Sequence, residues 1–340
     1  MRYNAGVKLR NALTVVGVAG LIILAWVVRE DIAEAIGLIR DFNWLILLLL
    51  VPLLLFSYLV RAWFYQSILA HFGHRVDLKR LYGMSWAVNF ATLALPSAGI
   101  SAATIVGTAL KKSDVPSGSA AMVQLAKYGM TYASFVFVLL VALIFVIWQG
   151  QASSLVLQSV GLIAISIVLL TSVLIYMLYN QKAFSSFVEL IQRTVDMVSR
   201  YFRNGEELIG VERLHEIMHD FYHSFHVIME KRLYYKRPFI FALTGNVVEV
   251  LLLYIFFVAI GFIINPAVVV IAYALAVSTG FVSIVPGDVG VYEVVMVAVL
   301  TASGVPLAVG LSATIMYRVF ARFAFLPLGF YFYNYYIREE

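Results

Sequence analysis

The sequence predicts an all-α protein, a polytopic membrane helical bundle with two inverted-topology repeats, each of which contains a re-entrant broken-helix hairpin. Of 340 residues, 62% are hydrophobic and 13% are charged, and the mean hydropathy of +0.92 lies far above that of soluble domains. Long apolar runs alternate with short basic clusters, and proline and glycine interrupt two of these runs. We therefore expect residues 1–340 to form a single integral membrane domain.

Cysteine content and net charge exclude several classes of protein. The chain has no cysteine, which excludes disulfides, thiol catalysis and thiolate metal sites. The net charge of +5 is modest and sits mainly in the loops, where it reports membrane topology rather than nucleic-acid binding. We expect neither a nucleic-acid partner nor a cofactor.

The first apolar segments and their flanking charges predict the topology of the N-terminal region. Residues 12–28 follow basic residues and precede acidic ones, which places the N-terminus in the cytoplasm. No small-residue cleavage site precedes Arg29, so we expect a retained first helix rather than a signal peptide. Residues 44–70 return inward. Arg61 lies two-thirds of the way along this helix, where it either snorkels to the inner surface or has a functional role.

The first repeat is predicted at about 44–148, with a hairpin at 81–110. This hairpin segment is rich in small residues and has basic residues at both ends, so we expect it to enter from the cytoplasm and to return there. Three residues break its helix: Pro96, Ser97 and Gly99. Residues 117–148 then cross outward and carry Lys127, and residues 155–179 come back in.

The polar segment 180–237 predicts two amphipathic helices on the cytoplasmic side, which either lie along the inner membrane face or cap the bundle. Within it, His215, Glu216 and His219 match the H-E-x-x-H pattern, in which two histidines bind zinc and the glutamate acts as base. A membrane-embedded zinc metalloprotease is therefore an alternative function. The pattern is short and lies away from both hairpins, and a solvated or headgroup-facing histidine face also explains it.

The second repeat is predicted at about 238–336, with a hairpin at 267–303. No cytoplasmic charge cluster flanks this hairpin, so we expect it to open to the outside. Three residues break its helix: Pro286, Gly287 and Gly290. A broken helix at membrane depth requires protein or a water-filled cavity around the freed backbone groups. The alternative is a kinked spanning helix with Asp288 and Glu293 at the interface.

Two spanning helices flank the second hairpin. Residues 238–263 cross outward with Asn246 and Glu249 near the middle, and residues 306–336 cross back inward. Both termini are then cytoplasmic, in a multi-pass protein of the cell (inner, cytoplasmic) membrane. Paired, interrupted segments in two inverted halves are the sequence pattern of transporters whose substrate site lies near the bilayer midplane.

Two motifs give the chain a resemblance to a known family. At Pro286-Gly-Asp-Val-Gly-Val-Tyr-Glu293 the chain resembles the lysylphosphatidylglycerol synthase/flippase transmembrane family, whose late motif looks like Pro-Gly-Gly-x-Gly-x-x-Glu. Leu95-Pro96-Ser97-x-Gly99 resembles its earlier hairpin motif, and the resemblance in hydropathy covers most of the chain. The chain departs from the motif at Asp288, where the family usually has glycine. The resemblance implies lipid flipping.

The same resemblance bears on enzymatic activity. Members of the family that aminoacylate lipids attach a soluble cytoplasmic synthase domain after the membrane part. This sequence ends at Glu340 without such a domain, so the resemblance does not imply transferase activity and we expect no enzyme.

Charged and polar residues in the predicted membrane segments are the candidate substrate-binding residues. They are Glu293, Arg318, Arg322, Asp288, Glu249, Arg61, Lys127 and Asn246. Arg318 and Arg322 are four apart, which predicts one helical face and a fork suited to a phosphate. They can equally be counterions of Glu249 or Glu293. We expect Glu293 to be the carboxylate on which transport depends.

These observations predict a flippase-like transporter that moves an anionic or aminoacylated lipid between leaflets, through a groove lined by the two hairpins. The lipid is of the phospholipid or polyprenyl-phosphate type. A non-transporting scaffold for an envelope lipid enzyme is the other alternative. Besides the lipid, a second copy of the chain and a separate lipid-synthesising enzyme are partners that the sequence leaves open.

Overall fold

The computed structural model describes residues 42–94, 98–111, 113–148, 236–278 and 288–338, with isolated positions between 34 and 40 and between 161 and 186. Several predicted features lie outside the described residues: the first helix at 12–28, the return at 155–179, most of the polar segment 180–237 with its zinc pattern, and the break residues Pro96, Ser97, Pro286 and Gly287.

The secondary structure of the described residues is helical, as the sequence predicts. In chain order the helices are α1 (Trp44–Leu47), α2 (Leu50–His71), α3 (Leu78–Ala94), α4 (Ala98–Lys111), α5 (Ser117–Trp148), α6 (Lys236–Ala259), α7 (Pro266–Ser278), α8 (Val291–Ala302), α9 (Leu307–Tyr317), a π-helical segment (Arg318–Phe323) and α10 (Leu326–Arg338). Long apolar runs favour a bundle of helices, because a helix satisfies its own backbone hydrogen bonds where it is surrounded by apolar groups.

Four of these stretches are long and apolar enough to cross a membrane. Within the described residues they are Trp44–His71, Ser117–Trp148, Lys236–Ala259 and Leu307–Tyr336. Their bounds lie close to those that the sequence predicts. The chain is therefore a membrane protein.

Four shorter helices form two pairs between the spanning stretches. Helices α3, α4, α7 and α8 have 17, 14, 13 and 12 residues, so each rises about 18 to 26 Å, less than the ~30 Å hydrocarbon layer. Helix α3 packs against α4, and α7 packs against α8. The two pairs coincide with the predicted hairpins at 81–110 and 267–303, whose re-entrant topology stays a prediction.

The turns that enter the two pairs have the same geometry. Gly73, after α2, and Gly261, after α6, both have φ of +82°, a left-handed conformation that favours glycine. The amide of His74 donates to the carbonyl of Leu69 at 3.0 Å, and the amide of Phe262 donates to that of Phe257 at 2.9 Å. Both helices therefore end in the Schellman arrangement.

The turns that leave the two pairs also correspond. Ser-Asp-Val-Pro at 113–116 joins α4 to α5, and Ser-Gly-Val-Pro at 303–306 joins α8 to α9. Asp114 and Gly304 are both left-handed, with φ of +53° and +87°. The valine that follows is buried in each case, and the proline carbonyl accepts a hydrogen bond from the amide four residues on, at 3.0 Å.

The two halves of the bundle, α2 to α5 and α6 to α10, pack against each other, and each half contacts the other with corresponding helices. Helix α2 lies against α6, α3 lies against α10, and α5 lies against α7. The α3–α10 approach is close: a Cβ atom on Gly329 would lie 3.0 Å from the carbonyl oxygen of Trp86 and 2.9 Å from the Cβ of Phe90. The first helix of each pair is thereby fixed against the last spanning stretch of the other half.

Candidate functional site

Glu249 is the centre of a buried polar network where α2, α6 and α9 meet. It is 7% exposed, and its Oε1 accepts hydrogen bonds from the Arg61 guanidinium and, at 3.3 Å, from Ser57 Oγ. Its Oε2 accepts a hydrogen bond from the Tyr317 hydroxyl at 2.9 Å and forms an ion pair with Arg322 Nη2 at 3.5 Å. One carboxylate thus serves two guanidinium groups and two hydroxyls.

The spacing of polar residues on α2 explains how this helix reaches Glu249. Ser57 and Arg61 are four residues apart and so lie on one face of the helix. The Arg61 guanidinium also covers the ring of Tyr58 at 4.8 Å, and Tyr58 stacks on Trp86 of α3 at a centroid distance of 3.4 Å. Helix α3, in the first short pair, is therefore in contact with the network.

Arg322 connects the network to the second short pair. Its Nε donates to the Tyr317 hydroxyl at 3.2 Å, and its Nη2 donates to the Tyr273 hydroxyl on α7 at 3.4 Å. The side chains of Arg61 and Arg322 are 22% and 21% exposed, whereas that of Glu249 is 9% exposed. The two cations consequently reach the outside of the packed bundle while the carboxylate does not.

Arg318 and Glu293 form a separate ion pair beside this network. Arg318 Nε donates to Glu293 Oε1 at 2.7 Å, and the guanidinium lies 4.8 Å above the ring of Tyr292. Glu293 Oε2 accepts a hydrogen bond from the Gly290 amide at 2.7 Å, which caps the start of α8. Glu293 thus joins the N-terminus of α8 to the π-helical segment, and its role in transport stays a prediction.

The turn before α8 explains the departure from the family motif. Asp288 has φ of +56° and Gly290 has φ of +90°. Glycine adopts such angles without strain, and aspartate is one of the few other residues that tolerate them. Asp288 therefore fits a backbone position that suits glycine.

The two arginines of the predicted fork do not share one carboxylate. Arg318 pairs with Glu293 and Arg322 pairs with Glu249. Residues 318–323 form a π-helical segment, whose hydrogen bonds span five residues. The two side chains therefore start from neighbouring positions of this segment but reach different carboxylates. Mutual pairing of arginine with Glu249 and Glu293 is confirmed, and phosphate binding stays a prediction.

The two remaining candidates, Asn246 and Lys127, occupy other positions. Asn246 Nδ2 donates to the Thr131 carbonyl at 2.9 Å and to Ser134 Oγ at 2.7 Å, which ties α6 to α5. Lys127 Nζ donates to the Tyr65 hydroxyl at 2.9 Å. Among the described residues Lys127 has no carboxylate in ion-pair contact.

Cations and hydrogen-bond donors therefore exceed their partners in this part of the bundle. Among the described residues, Arg61 and Arg322 pair with Glu249 and Arg318 pairs with Glu293, whereas Lys127 contacts a hydroxyl and no carboxylate. Three buried polar side-chain atoms have no hydrogen-bond partner in the part of the chain that the structure describes: Trp86 Nε1, Gln124 Nε2 and Tyr292 Oη. Each can donate a hydrogen bond. Such a surplus of positive charge and donors suits an anionic ligand.

Several residues of the site were not predicted from the sequence. They are Ser57, Tyr58, Tyr65, Trp86, Gln124, Tyr273, Tyr292 and Tyr317. One signal was available, because Ser57, Arg61 and Tyr65 recur every four residues and so share one face of α2. The tyrosines of α7, α8 and α9 are single aromatic residues in apolar runs, and nothing in their spacing marks them.

Comparison with known proteins agrees with this architecture. The chain is 24% identical over 135 residues to a UPF0104 membrane protein of Methanothermobacter thermautotrophicus, a match that spans 39% of each chain. The family described as the lysylphosphatidylglycerol synthase TM region matches residues 12–329, nearly the whole sequence. The chain thus belongs to the lysylphosphatidylglycerol synthase transmembrane family.

Proposed function

We propose that this chain is a flippase-like transporter, rather than an enzyme, that moves an anionic or aminoacylated membrane lipid between leaflets. The observation that carries the proposal is the unbalanced cationic network around Glu249 inside an apolar bundle. The lipid is of the phospholipid or polyprenyl-phosphate type. The family to which the chain belongs supports a role connected with membrane lipids.

The electrostatics of the network favour an anionic headgroup. An arginine in the bilayer interior costs at least about 2.5–3.5 kcal/mol, so a protein retains several only where they are paired or used. Arg61 and Arg322 share one carboxylate and remain about one-fifth exposed. A phosphate that entered between them would accept charge-assisted hydrogen bonds from both guanidinium groups and displace Glu249 as their shared partner. The carboxylate, once released, would favour departure of the anion.

The same network has a place for the amino group of an aminoacylated lipid. When a phosphate replaces Glu249 as the partner of an arginine, the freed carboxylate oxygen of Glu249 can accept a hydrogen bond from a substrate ammonium. One cluster therefore has complementary groups for both charges of a zwitterionic or aminoacylated headgroup.

The pairing of helices supports an inverted-repeat transporter. The helices α2 to α5 and α6 to α10 have matching order, matching turns and exchanged contacts, with α3 against α10 and α7 against α5. Trp86 of α3 and Tyr273 of α7 bring both short pairs into contact with the cationic network. We propose that these pairs are re-entrant hairpins and that they line the headgroup path at the repeat interface.

An apolar groove offers a place for the lipid tails. It has a volume of about 610 Å³ and lies between α2, α3 and α10, with Leu55, Leu59, Tyr82 and Phe332 among its lining residues. Tyr82 meets Trp86 edge to face at 6.1 Å, so the groove leads toward the network. A lipid could keep its tails in this groove while its headgroup contacts the arginines.

Lipid scrambling in proteoliposomes tests the proposal. The full chain should accelerate the exchange of fluorescently labelled phosphatidylglycerol or a labelled polyprenyl phosphate over protein-free vesicles. Replacing both Arg61 and Arg322 by alanine should abolish the effect, whereas Arg75→Ala, on an exposed arginine beyond the end of α2, should leave it unchanged. Equal exchange by the double variant and the wild type would refute the proposed path.

A further inference from the structure

A second polar cluster lies between α2 and α5, outside the Glu249 network. Lys127 Nζ donates to the Tyr65 hydroxyl at 2.9 Å and lies 4.9 Å from the centre of the same ring. The Tyr65 hydroxyl in turn donates to Gln124 Oε1 at 2.7 Å. Tyr65 is fully buried and Gln124 is 2% exposed, so the cluster is built into the helix interface rather than placed on the surface.

The hydrogen bonds of this cluster run from Lys127 to Tyr65 and from Tyr65 to Gln124, and some N–H donors remain unused. Lys127 uses one of its three protons on Tyr65, and Tyr65 uses its single proton on Gln124. Gln124 Nε2 makes no well-formed hydrogen bond among the described residues, and its one polar interaction besides Tyr65 is a poorly aligned contact of the Gln124 side chain with the Tyr128 hydroxyl. A buried amide without an acceptor costs about 1–3 kcal/mol, and an ammonium without a counterion costs more. The group that would satisfy both is an anion with several acceptor oxygens.

Arg61 connects this cluster to the Glu249 network. Tyr65 follows Arg61 by four residues on α2, a rise of about 6 Å along one face. Ser57, Arg61 and Tyr65 form one polar stripe, with Glu249 at the Ser57 and Arg61 end and Lys127 at the Tyr65 end. A phosphate at Lys127 would therefore be one helical turn from the cations of the first site.

We propose that Lys127, Tyr65 and Gln124 form a second subsite for a phosphate-bearing headgroup, which the lipid occupies before or after it contacts Arg61 and Arg322. The subsite rests on the proposed transport function and adds a second headgroup-binding position to the transport path. Lys127 and the Gln124 amide bind the phosphate oxygens, and Tyr65 orients both of them. Helix α5 has the same place in the first half of the bundle as the arginine-bearing stretch has in the second, so each half contributes cations to the path.

Counting bound headgroups tests the subsite. Native mass spectrometry of the purified full chain in zwitterionic detergent, with dihexanoyl phosphatidic acid as probe, should detect two bound molecules per chain. Gln124→Glu places a carboxylate beside Lys127 as an internal substitute for the anion. This variant should bind one molecule, with the second binding event weakened at least about tenfold, and should melt no lower than the wild type.

Matched variants decide the interpretation. Lys127→Met should also lose one bound molecule, whereas Gln66→Glu, the same substitution at a glutamine of α2 outside the subsite, should keep two. The subsite is overturned by one bound molecule in the wild type, by wild-type stoichiometry in Gln124→Glu, or by failure of Gln124→Glu to fold. Competition with inorganic phosphate distinguishes the sources of the ligand: displacement at this subsite assigns free phosphate, and resistance assigns the lipid headgroup.

Scrambling measured on the same preparations separates the two proposals. Two bound molecules without accelerated exchange would refute transport and leave the subsite standing. Accelerated exchange with a single bound molecule would refute the subsite and leave transport standing.

Discussion

Replacing Glu249 by glutamine is the sharpest test of the buried network. The carboxylate accepts from Arg61 and Ser57 on one oxygen and contacts Tyr317 and Arg322 on the other. Glutamine keeps one accepting oxygen and turns the other position into a donor. Whichever way the amide lies, its NH₂ group faces a guanidinium, so one arginine is left without an acceptor.

The structure sets the size of the expected effect. One charge-assisted hydrogen bond worth about 1.5–3 kcal/mol is lost, and stranding a buried charge brings the total to about 3–5 kcal/mol. A loss of that size lowers Tm by roughly 6–20 °C. If the freed arginine binds an anionic headgroup, phosphatidylglycerol at about 100 times its Kd should restore about 2.7 kcal/mol, whereas phosphatidylcholine should restore much less.

Thermal unfolding in mixed micelles of each lipid measures the loss of stability and its rescue. Scrambling in vesicles measures the effect on transport. We expect Glu249→Gln to bind anionic lipid more tightly and to transport it more slowly, because the carboxylate that competes for the arginines is gone. Asp114→Asn serves as control, since asparagine tolerates the same left-handed backbone in an exposed turn. Wild-type Tm in Glu249→Gln, or equal rescue by the two lipids, would contradict this reasoning.

Three further predictions concern packing, the second ion pair and topology. Gly329→Ala should cost about 1–3 kcal/mol in thermal unfolding, because its Cβ meets backbone on α3, whereas Gly107→Ala, with open space around it, should be neutral or stabilising. Arg318→Lys should keep an ion pair with Glu293 but slow lipid scrambling, since the planar guanidinium and its remaining N–H groups are lost; full activity would reduce Arg318 to a structural counterion. A single cysteine at position 205 should react only with reagents applied from the cytoplasmic side, and external labelling would refute the predicted orientation.

Hydropathy, flanking charge and the proline and glycine breaks were enough to predict the four described spanning stretches and the positions of the two short pairs, whereas the predicted spans 12–28 and 155–179 lie outside the described residues. The predicted segment 117–148 coincides with α5, and the second predicted hairpin at 267–303 covers α7 and α8. Length and apolar character determine these elements locally, which is why a single sequence reveals them. The proposed repeat has a second mark in the sequence besides the predicted helix breaks, namely Ser-x-Val-Pro at 113–116 and 303–306, which a search for corresponding turns would have found.

The partners within the site could not be predicted in the same way. Intramembrane charges marked Glu249, Arg61 and Arg322 as candidates, but which carboxylate serves which arginine depends on helices distant in the sequence. Arg318 and Arg322 lie in a π-helical segment, and no residue pattern in 318–323 predicts its wider turn. Glu293, on which transport is expected to depend, caps α8 and pairs with Arg318, and neither contact follows from the sequence pattern.

The sequence distance between paired charges has a consequence for how the chain is made. Arg318 follows Glu293 by 25 residues, so this pair can form almost as soon as its second member is synthesised. Arg61 and Glu249 are 188 residues apart, and ribosomes add about 5–20 residues per second, so α2 waits roughly 10–40 s for its counterion. During that interval α2 carries an uncompensated arginine that costs at least about 2.5–3.5 kcal/mol at the bilayer centre. Insertion of α6 therefore completes the first half of the bundle as well as starting the second, and in a nascent chain that stops before α6 the apolar residues of α2 alone must hold Arg61 in the membrane.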